Sequence, residues 1–100
     1  MAVIWFNRKE ALSFLLTNGF VYTLRKNRKE NGEVTIMTSI GGRRKVGRGI
    51  IRLISENGDK EEEIAHLAPF SGFKSVEEWM KAAEPGSRYL YRVDVLRLEV

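Results

Sequence analysis

A chain of 100 residues, 43% of them hydrophobic, closes one core and leaves no material for a second, so a single domain spanning 1–100 is expected. It has no cysteine and one histidine, His66, which excludes disulfide scaffolds, thiol nucleophiles and multi-histidine metal sites; neither a metal nor a cofactor is implied. No apolar stretch reaches the length of a membrane span, and Arg8, Lys9 and Glu10 follow the first apolar run too soon for a secretory signal, so a soluble, cytoplasmic chain with no membrane partner is expected.

In chain order, Ala2 to Phe6 is a short apolar run with β-branched and aromatic residues and reads as a buried strand. Asn7 with Glu10 gives a capping-box-like start to a first helix from Arg8 to Asn18, which Gly19 terminates. Phe20–Leu24 and Val34–Ile40 are β-rich and flank Asn31-Gly32, a tight-turn signal, so they are expected to pair as a hairpin. Val46–Ser55 is apolar on both faces and reads as a central strand ended by Asn57-Gly58. Asp59 and Glu61 to Glu63 are placed to cap a short helix that carries Ile64 and Leu67 inward and stops at Pro69. Ser75 and Glu78 make a capping box for a third helix, with Val76, Trp79, Met80 and Ala83 on its apolar face, ending near Glu84-Pro85-Gly86. The last strand runs from Tyr89 to Val100. Its apolar residues alternate through Tyr91, Val93 and Val95, then switch parity to Leu96, Leu98 and Val100, which predicts a bulge near Val95-Leu96. A strand bent there suits a closed barrel, so the reading is an α+β fold built on a small mixed β-barrel of five or six strands with two or three helices.

The net charge of +4 conceals a division along the chain. Residues 25–52 carry nine basic side chains against Glu30 and Glu33, net +7, whereas residues 53–84 are net −5. The basic stretch holds two clusters, Arg25, Lys26, Arg28 and Lys29, then Arg43, Arg44, Lys45 and Arg48. Converging, they form a phosphate-binding face; apart, they are solvated loop tips. Arg25 and Arg48 sit at strand ends, where a scaffold fixes direction, and Thr23 places a hydroxyl on the same strand face as Arg25. Trp5 and Phe6 point to opposite faces of the first strand, so one of them is available to stack on a base. Trp79 reads as core, His66 as a surface residue, and the acidic region 56–84 as either a solvated face or the surface for a protein partner. No catalytic constellation emerges.

The order strand, helix, N-G-F-V-Y-T-L-R, further strands, G-F-K-S-V-E-E-W and a final strand resembles the ASCH domain of the PUA-like superfamily. Two stretches carry the likeness. Leu16 to Arg25 looks like the family's turn of the form G-x-K-x-x-[T/E]-x-R, and Gly72 to Trp79 is similar to its G-F-x-S-x-E-E segment. The resemblance implies a β-barrel with helices around it and a cleft near that turn, associated with RNA or modified nucleosides. Arg25 takes the place of the family arginine and Thr23 that of the residue two before it; Phe20 stands where the family usually has lysine, Asn18 where it has glycine. Some members are amidohydrolases acting on acylated cytidine, with that lysine implicated in catalysis. With Phe20 there, the expected function is a nucleic-acid-binding module, RNA before DNA, that breaks no bond. The candidate contacts are Thr23, Arg25, Lys26, Arg28, Lys29, Arg43, Arg44, Lys45 and Arg48. The alternative is a hydrolase of a modified nucleoside with Lys26 replacing the lysine.

Overall fold

The computed structural model describes residues 2–99. In chain order it runs β1 (Ala2–Trp5), α1 (Lys9–Asn18), β2 (Phe20–Arg25), β3 (Gly32–Thr38) and β4 (Arg44–Ser55), then α2 (Glu61–Ile64), a 3-10 segment (Ala65–Phe70), α3 (Val76–Ala82) and β5 (Tyr89–Leu98). This is a small α+β fold with one mixed sheet of five strands in the order β1-β3-β4-β5-β2. β1 lies parallel to β3, Ala2 opposite Val34 and Trp5 opposite Met37, and every other pairing is antiparallel. β4 is the central strand, as its two-faced apolar pattern predicts, although Ile54 near its end is exposed.

Each face of the sheet has its own core. One face buries Ile4, Phe6, Val21, Ile36, Ile51, Tyr91 and Val93 against Ala11, Leu12 and Leu15 of α1. On the other, Leu24 and Leu90 pack with Ile64, Ala68 and Trp79 from the helices that follow β4. Alternation along β2 sends Val21 and Leu24 to different cores. α3 begins as expected, with the Ser75 hydroxyl accepting from the Glu78 N–H at 3.1 Å.

The bulge falls where the parity switch predicts it. Arg48 pairs with Arg97 and Gly49 with Val95, which leaves Leu96 as the extra residue. The bulge does not return the apolar residues to a core, since Leu96 and Leu98 are 58% and 41% exposed. Val100 lies outside the described residues.

Four expectations are corrected. The barrel does not close: β1 and β2 are the two free edges of the sheet. Side chains take the outer carbonyls of β1 that a closing strand would need, Arg25 Nη1 bonding the Trp5 carbonyl at 2.7 Å and Lys29 Nζ the Val3 carbonyl at 3.2 Å. Second, β2 and β3 do not form a hairpin; β2 pairs with β5, and the loop after β2 crosses to the other side of the sheet. The loop is held there from outside, because the Asn31 side chain accepts from the Leu53 N–H at 2.8 Å, and the Tyr91 hydroxyl accepts from the Lys29 N–H and donates to its carbonyl. Third, Asn7 does not cap α1. Arg8 occupies the cap with no side-chain bond, and Asn7 Oδ1 accepts from both the N–H and the hydroxyl of Ser39. Fourth, Asp59 does not cap α2, whose cap position is Lys60 with no side-chain bond, and Pro69 lies within the 3-10 segment that follows. A proline there has no N–H to give to a carbonyl either three or four residues back, so no α-helix continues through it.

The close approach of β4 to β5 at the bulge depends on Gly47. A Cβ there would lie 2.1 Å from the Arg97 carbonyl oxygen and 3.0 Å from Leu98 Cα, both backbone atoms that cannot rotate away. Gly47→Ala is therefore expected to lower the stability to urea by about 1–3 kcal/mol through overpacking, read as a lower midpoint at unchanged slope.

Candidate functional site

The open seam between β1 and β2 leaves a cavity of about 430 Å³ at one end of the sheet. Trp5 and Phe6 come from the end of β1, Arg8 from the turn into α1, Thr23 to Lys26 from the end of β2, Lys29 from the following loop, and Trp79 and Glu84 from α3 and its exit. Four cations, Arg8, Arg25, Lys26 and Lys29, line it with a single carboxylate, Glu84. Its volume is that of a site for one small ligand rather than for a helix or a duplex.

Arg25 is the side chain around which the cavity is organised. Its Nε donates to Thr23 Oγ1 at 3.1 Å, its Nη1 to the Trp5 carbonyl, and its guanidinium lies 4.8 Å from the Phe6 ring centroid. Two hydrogen bonds and a ring fix the plane of the fork, while Nη2 forms no hydrogen bond with any described residue. Burial pulls its pKa down from the usual guanidinium range to about 10, with the charge of Glu84 opposing the shift. It remains a cation at neutral pH. Lys29 is pulled below the usual lysine range by desolvation and then by the charge of Arg25.

Trp79 is core, as its place on the α3 stripe predicts, and it also reaches the site. It is 2% exposed, lines the cavity, and its indole N–H bonds no described residue. The lining is thus strongly cationic, the chemistry that suits a phosphate or another anionic oxygen.

Of the nine residues singled out in the sequence, Thr23, Arg25, Lys26 and Lys29 share this cavity. Arg28 is exposed beyond it. Arg43 does not line it, but its guanidinium lies 5.1 Å from the centroid of Trp5, which does. Arg44 is exposed at the start of β4; Lys45 pairs with Glu99 at 2.6 Å, and Arg48 with Glu33 at 2.6 Å. The Lys45 bond holds the Glu99 carboxyl below its usual range. Phe20 is away from the cavity, its ring edge-on to Phe14 at 5.6 Å and under the Arg92 guanidinium at 4.5 Å. Between Trp5 and Phe6, the indole is the half-buried ring and Phe6 the covered one. Arg8 and Glu84 carried no signal in the sequence, because they enter the site from elements that only the tertiary fold brings together. No family model, curated protein or solved structure matches the chain.

Because the folded chain holds the Arg25 proton less tightly than the unfolded chain, burying this charge destabilises the fold below about pH 10, and the penalty fades as pH rises from there toward the ordinary arginine range. An anion in the cavity offsets the same penalty at neutral pH. Sulfate is expected to raise the melting temperature above that in sodium chloride of equal ionic strength, corresponding to about 1.4 kcal/mol at ten times its dissociation constant. Arg25→Met should lose that increment and keep only the general effect of the salt.

Proposed function

We propose that this chain is a nucleic-acid-binding module of the ASCH type, and that it takes single-stranded RNA by receiving one unpaired nucleotide in the cavity beside Arg25. The observation that carries the proposal is the fixed guanidinium of Arg25, charged, half-buried and with Nη2 unengaged among the described residues, in a cavity lined by three further cations. A cavity of this size favours an unpaired base, since a duplex offers a base only after it is unstacked. Lys26 and Arg28, exposed and without an ion pair among the described residues, continue the positive surface from the cavity along the strand's phosphates. Lys45 and Arg48 are already neutralised by Glu99 and Glu33 and contribute less.

The reading is recognition without bond breaking. A hydrolase of acylated cytidine on this scaffold needs an amine near Thr23; the family's position for it is Phe20, whose ring packs in the aromatic group outside the cavity, which leaves Lys26, an exposed lining residue just beyond β2, as the substitute that the alternative reading requires. Purified protein should release no more cytidine from the acylated nucleoside than buffer does.

Fluorescence anisotropy with short single-stranded RNA at several salt concentrations tests the proposal. Lys26→Ala and Arg28→Ala should weaken every oligonucleotide alike, each reducing the slope of log affinity against log salt by about 0.7. Arg25→Met should fall hardest on the preferred oligonucleotide, by about 1–3 kcal/mol. Absence of binding at low salt would remove the nucleic-acid reading.

A further inference from the structure

We infer that Trp5 and Arg43 form a clamp for a single base at the mouth of the cavity, with the indole as its fixed jaw and the arginine as its mobile one. The inference rests on the nucleic-acid reading above and adds to it the residues that grip the base.

Consecutive residues at the end of β1 each carry a guanidinium over their ring, and the two pairs differ in what else holds the cation. Arg25, over Phe6, is tied by its bonds to Thr23 and to the Trp5 carbonyl. Arg43, over Trp5, is exposed and forms no hydrogen bond or ion pair with any described residue; the indole is what it rests on. The indole itself is steady. Its own carbonyl accepts from Arg25, and the next N–H, that of Phe6, donates to the Met37 carbonyl at 2.8 Å, so the backbone on both sides of the side chain is fixed.

The arginine stands just after a turn closed by a hydrogen bond from the Gly42 N–H to the Ser39 carbonyl at 3.1 Å, so the freedom it has is that of its own exposed side chain. Ser39 is pinned to Asn7 by two hydrogen bonds, and Gly41 and Gly42 both take positive φ, 75° and 107°, immediately before Arg43. Nothing within 4 Å surrounds the position of a Cβ on either glycine. The turn is open to solvent there, and rotation about the arginine's own side-chain bonds carries the guanidinium off the ring. Its present height of 5.1 Å leaves no room for a base between the two groups. A base entering the cavity therefore displaces Arg43 and is then covered by it, exchanging an exposed cation–π contact for two stacking contacts, one with the indole and one with the guanidinium plane. Stacking of this kind tolerates any base, so the clamp supplies affinity, and the cavity donors supply orientation.

The chain has two tryptophans, Trp5 and Trp79, and intrinsic fluorescence reads the clamp directly. The probes are single-stranded oligouridylate and oligoadenylate, with inorganic polyphosphate as an anion without bases. Both RNAs should change the emission, polyphosphate should bind without doing so, and Trp5→Phe should abolish the change. Trp5→Ala should bind RNA about ten-fold more weakly, with Trp5→Phe, which keeps a ring, between it and the native chain. Arg43→Ala should raise acrylamide quenching of the free protein and weaken RNA, but not polyphosphate, by more than the loss of one charge at Arg44→Ala does. Circular dichroism checks the fold of each variant, and Trp5→Phe keeps the test open should Trp5→Ala not fold. RNA that binds with unchanged emission, and equally well to the Trp5 variants, would overturn the clamp and leave the binding reading standing. Failure of both RNA and polyphosphate to bind at low salt would overturn both.

Discussion

The guanidinium of Arg25 joins two strands that share no backbone hydrogen bond. From the last position of β2 it reaches the carbonyl of Trp5 at the end of β1, with Thr23 steadying it from its own strand and Phe6 beneath it. One long side chain thus does the work of a missing ladder, and it does so with a charge that is held partly out of water. A closing strand would have paired the β1 carbonyls and filled the seam. The arginine pairs them and leaves it hollow, which is why the cavity and the buried charge occur at the same place.

Charge and layering then sort the surface. The acidic residues of α2 and the start of α3 lie on the helices that pack over Leu24 and Leu90, while the cavity cations come from the strand ends and loops beside α1. Glu84 is the exception, the one carboxylate at the cavity, and it acts on Arg25 through space rather than as a contact partner. Its charge makes the guanidinium easier to keep ionised without occupying the face that remains open. On β4 the opposite arrangement holds: Lys45 and Arg48 are paired with carboxylates in the sheet, and that part of the basic stretch serves the strands rather than a ligand.

Local signals in the sequence proved reliable where the structure they encode is local. The parity of Val95 and Leu96 locates the bulge, Ser75 caps α3, and Trp79 marks its buried face, because each depends on a period or a spacing within one element. The strand partners were not legible. Asn31-Gly32 reads as a hairpin turn, yet the Asn31 amide is used by Leu53 and the hydroxyl that holds Lys29 belongs to Tyr91, far along the chain. Closure of the sheet was not legible either, since it turns on whether two side chains or one backbone meets β1. For the site, Thr23 and Arg25 were visible as residues of one strand face at a strand end; the roles of Trp5, Arg8, Trp79 and Glu84 depend on which elements meet there, and no spacing announces that.

The order of the strands also bears on how the molecule comes into being. β1 waits for β3, and β2, made early, finds its only strand partner in β5, the last strand of the fold. Both walls of the seam are therefore set by pairings between distant parts of the chain, which form slowly because a long loop must close before any contact repays the lost freedom. During synthesis the basic loop after β2 emerges well before β5 can fix the strand it leaves. A growing chain consequently displays positive charge before it possesses the cavity, whose walls are complete only when the final strand has docked.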